Sequence, residues 1–168
     1  MKRRIFFLFL IFAFLLCSLV SCSGEKEFAH CELTLVLDSD FEEKTSEEYD
    51  LLLTDGEIAV SITRISFVIA PTMGFPETDT AKGFAANYMH RTEGSDTLLT
   101  YEGIPYYTYT EEYEGETFFH TFTFYRSYQA YFIVSYSVRA KDGEEHLDRI
   151  LKYADAAYFN DAPVIKDK

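Results

Sequence analysis

The stretch Phe118 to Tyr125, FFHTFTFY, decides the fold. Successive residues of a strand point to opposite faces, so it separates into two interleaved sets. Phe118, His120, Phe122 and Phe124 form one set; Phe119, Thr121, Thr123 and Tyr125 form the other. The flanking segments alternate in the same way. Tyr107 and Tyr109 separate from Tyr106, Thr108 and Thr110, and Phe132, Val134, Tyr136 and Val138 separate from Tyr131, Ile133, Ser135 and Ser137. An antiparallel sheet with one face on a core and one partly wet gives this pattern. Glu114-Gly115, Gly103 and the Arg126–Ala130 segment supply turns, and Pro105, which lacks an N–H, suits a strand start or edge.

Upstream, Glu32 to Leu37 reads as a strand with Leu33, Leu35 and Leu37 inward and Thr34 and Val36 outward. Residues 42–48 form an acidic connection. Tyr49–Leu53 and Glu57–Phe67 flank Asp55-Gly56, a hairpin signal. In the second arm Ile58, Val60 and Ile62 take one face, and Ala59, Ser61, Thr63 and Ile65 the other. Ala70 to Thr78 is a loop. Ala81, Phe84, Ala85, Tyr88 and Met89 fall at helical spacing, with Thr78 or Asp79 as the cap and Gly94 beyond the end. A second helix opens near Glu144-Glu145, where the dipole favours acids, with Leu147, Ile150, Leu151, Ala154 and Tyr158 inward. The expected fold is α+β: a single antiparallel sheet of about six or seven strands with two helices, in the order β-ββ-α-ββββ-α.

The N-terminus is an address. Lys2-Arg3-Arg4 is a basic block and Ile5 to Leu16 an unbroken apolar run, short for a membrane span. Leu19-Val20-Ser21-Cys22 follows. These features resemble the bacterial lipoprotein signal with its lipobox. The resemblance implies a signal peptide over 1–21, Cys22 thioether-linked to diacylglycerol, and attachment to the extracytoplasmic side of a cell membrane. Two acyl chains anchor stably where one holds marginally. The expected organisation is then a lipidated Cys with a short tether over 22–28, one domain over 29–160 and a polar tail over 161–168.

The chain has 168 residues and a net charge of −13; removal of residues 1–21 leaves 12 basic against 28 acidic residues, a net charge of −16. Such a surface repels nucleic acids and anionic headgroups, so no nucleic-acid partner is expected. Of three cysteines, Cys17 leaves with the signal and Cys22 takes lipid. Cys31 stands alone, no internal disulfide is available, and a cysteine there is expected to be a small buried hydrophobe. The element order, with Phe124-Tyr125-Arg126 and then Tyr131 to Tyr136 before a last helix, resembles the PsbP-like family. That family includes extrinsic photosystem II subunits and small bacterial lipoproteins. The resemblance implies helices on both faces of the sheet and carries no functional residue across.

No G-x-S-x-G, P-loop, G-x-G-x-x-G, H-E-x-x-H or C-x-x-C motif occurs, so no catalytic residue, cofactor or metal site is expected. The acidic groups Asp38–Glu43 and Glu111–Glu116 lack calcium-loop spacing and read as a solvated loop and a charged turn. Matching the polar sets across strands gives one Thr/Ser face bordered by aromatics. Tyr106, Thr108, Phe119, Thr121, Thr123, Tyr125, Tyr131 and Ser135 are its candidate binding residues. The expected function is a non-enzymatic binding or accessory module at the membrane surface, with a membrane or envelope protein as partner. The alternative is a lipoprotein that captures a small molecule, glycan or cation, which a deep aromatic pocket beneath the 70–78 loop would favour. A hydrolase needs a buried, pKa-shifted His or carboxylate in a cleft.

Overall fold

The computed structural model describes residues 24–75, 80–91 and 97–160. The leader 1–21, Cys22, Thr78, Asp79, Gly94 and the tail lie outside the described residues. Ten strands and two helices follow in order: β1 (Glu25–His30), β2 (Leu33–Asp38), β3 (Glu42–Lys44), β4 (Leu51–Thr54), β5 (Ala59–Ser66), α1 (Ala81–Met89), β6 (Leu99–Tyr101), β7 (Ile104–Tyr113), β8 (Glu116–Arg126), β9 (Ala130–Arg139), α2 (Gly143–Ala156) and β10 (Tyr158–Phe159). The fold is α+β. Seven strands form one antiparallel sheet in the order β3-β4-β5-β9-β8-β7-β6, and β1-β2-β10 form a second, small sheet.

The turns follow from residue chemistry. Glu102-Gly103 and Glu114-Gly115 close two-residue hairpins with φ of 47°, 84°, 51° and 84°. Positive φ at both central positions is the primed turn that matches strand twist, and glycine takes it without a Cβ clash. Asp55 Oδ1 accepts from the N–H groups of Glu57 and Ile58 at 2.9 and 2.7 Å, which shapes the β4–β5 turn. Thr80 caps α1 by accepting from Gly83 N–H at 2.9 Å.

The two faces of the large sheet bury different partners. On one, Leu51, Leu53, Val60, Ile62, Phe132, Val134, Tyr136 and Val138 pack beneath α2 and the small sheet, against Ile150, Ala154, Leu33, Leu35 and Leu37. Tyr125 donates from its hydroxyl to Ala154 O at 3.0 Å, tying α2 to β8. Arg149 of α2 reaches Asp38 Oδ2 at 2.8 Å and Asp55 Oδ2 at 2.9 Å, so one guanidinium joins helix, small sheet and large sheet. On the other face Ile65, Phe124, Tyr131 and Ile133 pack beneath α1, where Phe84 stacks on Tyr131 with centroids 4.2 Å apart. Helices thus cover both faces, but unequally. At 1.5 Å per residue the nine-residue α1 is about 13 Å long, against about 36 Å for the eleven-residue β8. The described residues leave one half of that face uncovered.

Five expectations are corrected. Glu25 to Phe28 is not tether: it pairs with Leu35–Asp38 as β1, because Phe28 has a core position to fill. Thr34 is buried, donating to Asn160 Oδ1 at 2.7 Å, and Tyr158 has left the helix to pair with it in β10. Glu42–Lys44 adds an exposed edge strand. Cys31 is exposed at the β1–β2 turn with φ of 52°.

Candidate functional site

Strand register builds a groove on the uncovered half-face. Two cross-strand rows run over it. The first is Leu52, Ser61, Ser135, Phe122, Tyr107; the second is Thr54, Ala59, Ser137, His120, Tyr109. Residues directly opposite share a face. Large side chains stand on β8 and β7 and at Leu52, and small ones occupy the central strands β5 and β9. The surface therefore sinks along its middle into a groove of about 320 Å³, within the range of ligand-sized sites.

The floor presents Ala59, Ser61, Thr63, Ser135 and Ser137. One wall is aromatic: Tyr109 stacks on His120 at 4.9 Å and faces Phe122 at 5.7 Å. Tyr88 closes the end beneath α1, 6.2 Å from Phe122, and Tyr49 enters from the loop before β4. Glu111 stands at the rim and accepts from the Tyr109 hydroxyl at 3.5 Å.

Burial sets the protonation states. Desolvation, with the nearby Glu111 carboxylate adding to it, pushes the Tyr109 phenol up to about 12. Tyr88 is raised by burial and by the neighbouring Tyr49 phenol. Burial depresses His120 below its ordinary 6.5, with Glu111 opposing the shift. At neutral pH the site thus holds protonated phenols, a neutral imidazole and a lone carboxylate among its described lining residues.

His120 also sits within a Ser-His-Glu arrangement. Its Nδ1 is 2.8 Å from Ser137 Oγ and its Nε2 is 3.7 Å from Glu111 Oε2. Nucleophile, base and orienting carboxylate in that sequence are the parts of an acyl-transfer site. Transition-state stabilisation needs donors aimed at the developing oxyanion as well. The backbone around Ser137 is engaged in ladders with β5 and β8. Ser137 and His120 are directly opposed in the β8–β9 pairing, which accounts for their hydrogen bond.

The eight candidate binding residues do not share a face. Tyr106, Thr108, Phe119, Thr121, Thr123 and Tyr125 are in register with Val134, Tyr136, Val138 and Phe132, on the face beneath α2. Thr121, Thr123 and Tyr125 are fully covered there. Tyr131 lies in the core under α1. Ser135 alone of the eight lines the groove. A one-strand mismatch explains this: the polar set of β8 pairs with the apolar set of β9, because side-chain direction follows register and not composition. Of the 70–78 loop residues 70–75 are described, and there Ala70 and Phe75 pack into the α1 core. Asp38 is held by Arg149, and no group of three or more His, Cys, Asp or Glu able to hold a metal occurs among the described residues. Tyr49, Tyr88, Tyr109 and Glu111 were missed because no single segment contains them. The available signal was the small set Ala59-Ser61-Thr63 facing the small end of Ser135-Ser137.

No family model matches the chain, and no curated protein does. Solved structures with a similar fold include a Bacteroides thetaiotaomicron protein crystallised at 1.50 Å resolution, with TM-score 0.58 and 12% identity over 82% of this chain and 49% of that one. This chain thus spans about half that protein's length. Cyanobacterial PsbP (CyanoP) from Synechocystis has TM-score 0.48 and 10% identity, covering 83% and 95%. LpqN of Mycobacterium tuberculosis, described as involved in cell envelope biogenesis, has TM-score 0.45 and 10% identity, covering 81% and 90%. At these identities the likeness is one of fold. No helix among the described residues is long and apolar enough to cross a membrane.

Proposed function

We propose that the chain is a non-enzymatic binding module, held at the extracytoplasmic face of a membrane by lipid on Cys22, whose binding site is the open half of the large sheet. The groove between Tyr49 and the Tyr109–His120–Phe122 wall is the observation that carries this reading. Aromatic walls over a hydroxyl floor are binding material, and behind the groove's central strands the opposite face is filled by buried Val60, Val134, Tyr136 and Thr123. The anchor fits this geometry. Gly24 lies at the Asp38 end of the small sheet, which Arg149 ties to Asp55 in the turn that leads into β5. The uncovered rows, at Ala59 and Ser61, belong to that same pole.

Photo-cross-linking in intact membranes tests the proposal. A photoreactive residue at Tyr49 should yield a discrete adduct, whereas one at Lys152, on the exposed side of α2, should not. Equal labelling from both positions, or none from Tyr49, would refute it. A hydrolytic second reading draws support from the Ser137–His120–Glu111 distances. Stoichiometric fluorophosphonate labelling of Ser137, lost in His120→Gln, would establish that reading instead; an unlabelled Ser137 keeps the module non-enzymatic.

A further inference from the structure

The groove carries one formal charge in its described lining, and it is negative. Glu111 contributes a carboxylate whose side chain is 56% exposed, so it is hydrated and reachable from the mouth. Its Oε2 is oriented by the Tyr109 hydroxyl at 3.5 Å and lies 3.7 Å from His120 Nε2, so it points along the aromatic wall. Among the described residues no Lys or Arg lines the site. The chain as a whole carries −13. An anionic ligand would meet repulsion at every range, and a neutral one would leave the carboxylate unused. An inorganic divalent ion wants several oxygen ligands, and the site offers one carboxylate. An organic cation uses everything present. Tyrosine rings attract ammonium groups through their faces, more strongly when water is partly excluded, and a carboxylate completes the charge balance. Tyr49 and Tyr109 both line the groove.

We propose that the groove binds a ligand bearing an ammonium group, seated against the Tyr49 and Tyr109 rings with its charge directed at the Glu111 carboxylate. This rests on the groove being the binding site and names the chemistry that site selects. The hydroxyls of Ser61, Ser135 and Ser137 then face the uncharged remainder of the ligand. Long-range attraction by the acidic surface raises the encounter rate of such a ligand and weakens with salt. The ammonium group could be that of a soluble amine or of a lipid headgroup lying beside the anchored pole.

The test uses the full chain reconstituted in phosphatidylglycerol vesicles, which contain no ammonium group. Calorimetric titration with tetramethylammonium and with ethanolamine should show saturable binding, at least tenfold tighter than to neopentyl alcohol, a water-soluble neutral near-isostere of the first with one added hydroxyl. Glu111→Gln, at an exposed rim position, should weaken binding fivefold or more with an unchanged melting temperature, and Tyr49→Ala should do the same. Adding phosphatidylethanolamine to the bilayer separates the sources: competition with ethanolamine assigns a headgroup, and its absence a soluble amine. Equal binding of the neutral isostere, or binding indifferent to Glu111→Gln, overturns the ammonium assignment. A neutral sugar or peptide bound in its place and lost in Tyr49→Ala would leave the groove standing as a binding site. No saturable binding of either ammonium probe also overturns the assignment, and the Tyr49 cross-link then decides the fate of the groove itself.

Discussion

Replacing Arg149 by Met removes the one side chain that touches α2, the small sheet and the β4–β5 turn together. In the native protein Arg149 Nη2 donates to Asp38 Oδ2 at 2.8 Å and to Asp55 Oδ2 at 2.9 Å, while Nε donates to Asp38 Oδ2 at 3.1 Å. The exposures are unequal: the Asp55 side chain is 6% exposed and that of Asp38 34%. Stripping the partner from a buried ion pair costs about 3–5 kcal/mol because the remaining charge is uncompensated. An exposed pair is worth about 0.2–1 kcal/mol. Asp55 belongs nearer the first case and Asp38 nearer the second. Arg149 is itself one-third exposed, so water can reach part of the vacated space. The expected loss is therefore about 2–4 kcal/mol. With a urea slope of about 2 kcal/mol/M, the midpoint should fall by about 1–2 M. Far-ultraviolet circular dichroism at pH 7 reads it. The companion Asp55→Asn removes the orphaned carboxylate, so the double variant should be less destabilised than the sum of the singles. A loss below about 1 kcal/mol, or strict additivity, would refute the account of this pair as the junction of the fold.

Three further perturbations follow from the same geometry. Burial opposes ionisation of Glu32, but hydrogen bonds from Arg64 and Ser127 outweigh it and hold the carboxyl below its ordinary 4.5. Its stabilisation is thus complete above pH 4.5 and lost as pH falls through the folded value, so the gap between wild type and Glu32→Gln should be constant at neutral pH and close in acid; a gap that widens in acid contradicts this. His120 has the opposite character: its folded value is depressed, so the unfolded chain takes up the proton first and stability falls as pH drops through 6.5. His120→Gln should flatten that part of a pH–melting curve, and an unchanged slope would show that the imidazole is hydrated. A Cβ added at Gly143 would lie 2.5 Å from Phe119 Cγ, near the root of a side chain held between β8 and α2. Gly143→Ala should therefore lose about 1–3 kcal/mol despite its better helix propensity, and in a Phe119→Ala background, which lacks the clashing Cγ and Cδ1, the same change should cost less in thermal unfolding.

Much of the fold was legible in the residues. The Glu-Gly turns, the period-two alternation of β7, β8 and β9, and the Phe84–Met89 stripe are local signals, and each element formed where its chemistry placed it. Side-chain direction between strands was not legible. Thr121 and Thr123 share a composition with Ser135 and Ser137, yet register sends the first pair under α2 and the second into the groove. A shift of one residue inverts a strand's faces, and composition does not encode the shift. The strands β3 and β10 carry too few residues for a period, β1 (EKEFAH) is long enough but has no apolar alternation, and all three exist because the small sheet and the edge of the large one offer partners. Half of the groove was visible as small residues on β5 and β9. Its wall required Tyr109 and His120 to be opposed and Tyr49 and Tyr88 to be brought in from elsewhere.

The central claim is that one half-face of the large sheet is open while the opposite face of the same central strands is closed by buried side chains. Thiol labelling of the membrane-bound chain tests this most directly, in a Cys31→Ser background so that the exposed native thiol does not report. Ser135→Cys should react with a small maleimide at a rate near that of a solvated cysteine and be protected by a groove ligand. Thr123→Cys, on the α2 side of the adjacent strand, should react only on unfolding. Comparable rates at the two positions, or a protected Cys at 135 beside a reactive one at 123, would contradict the account.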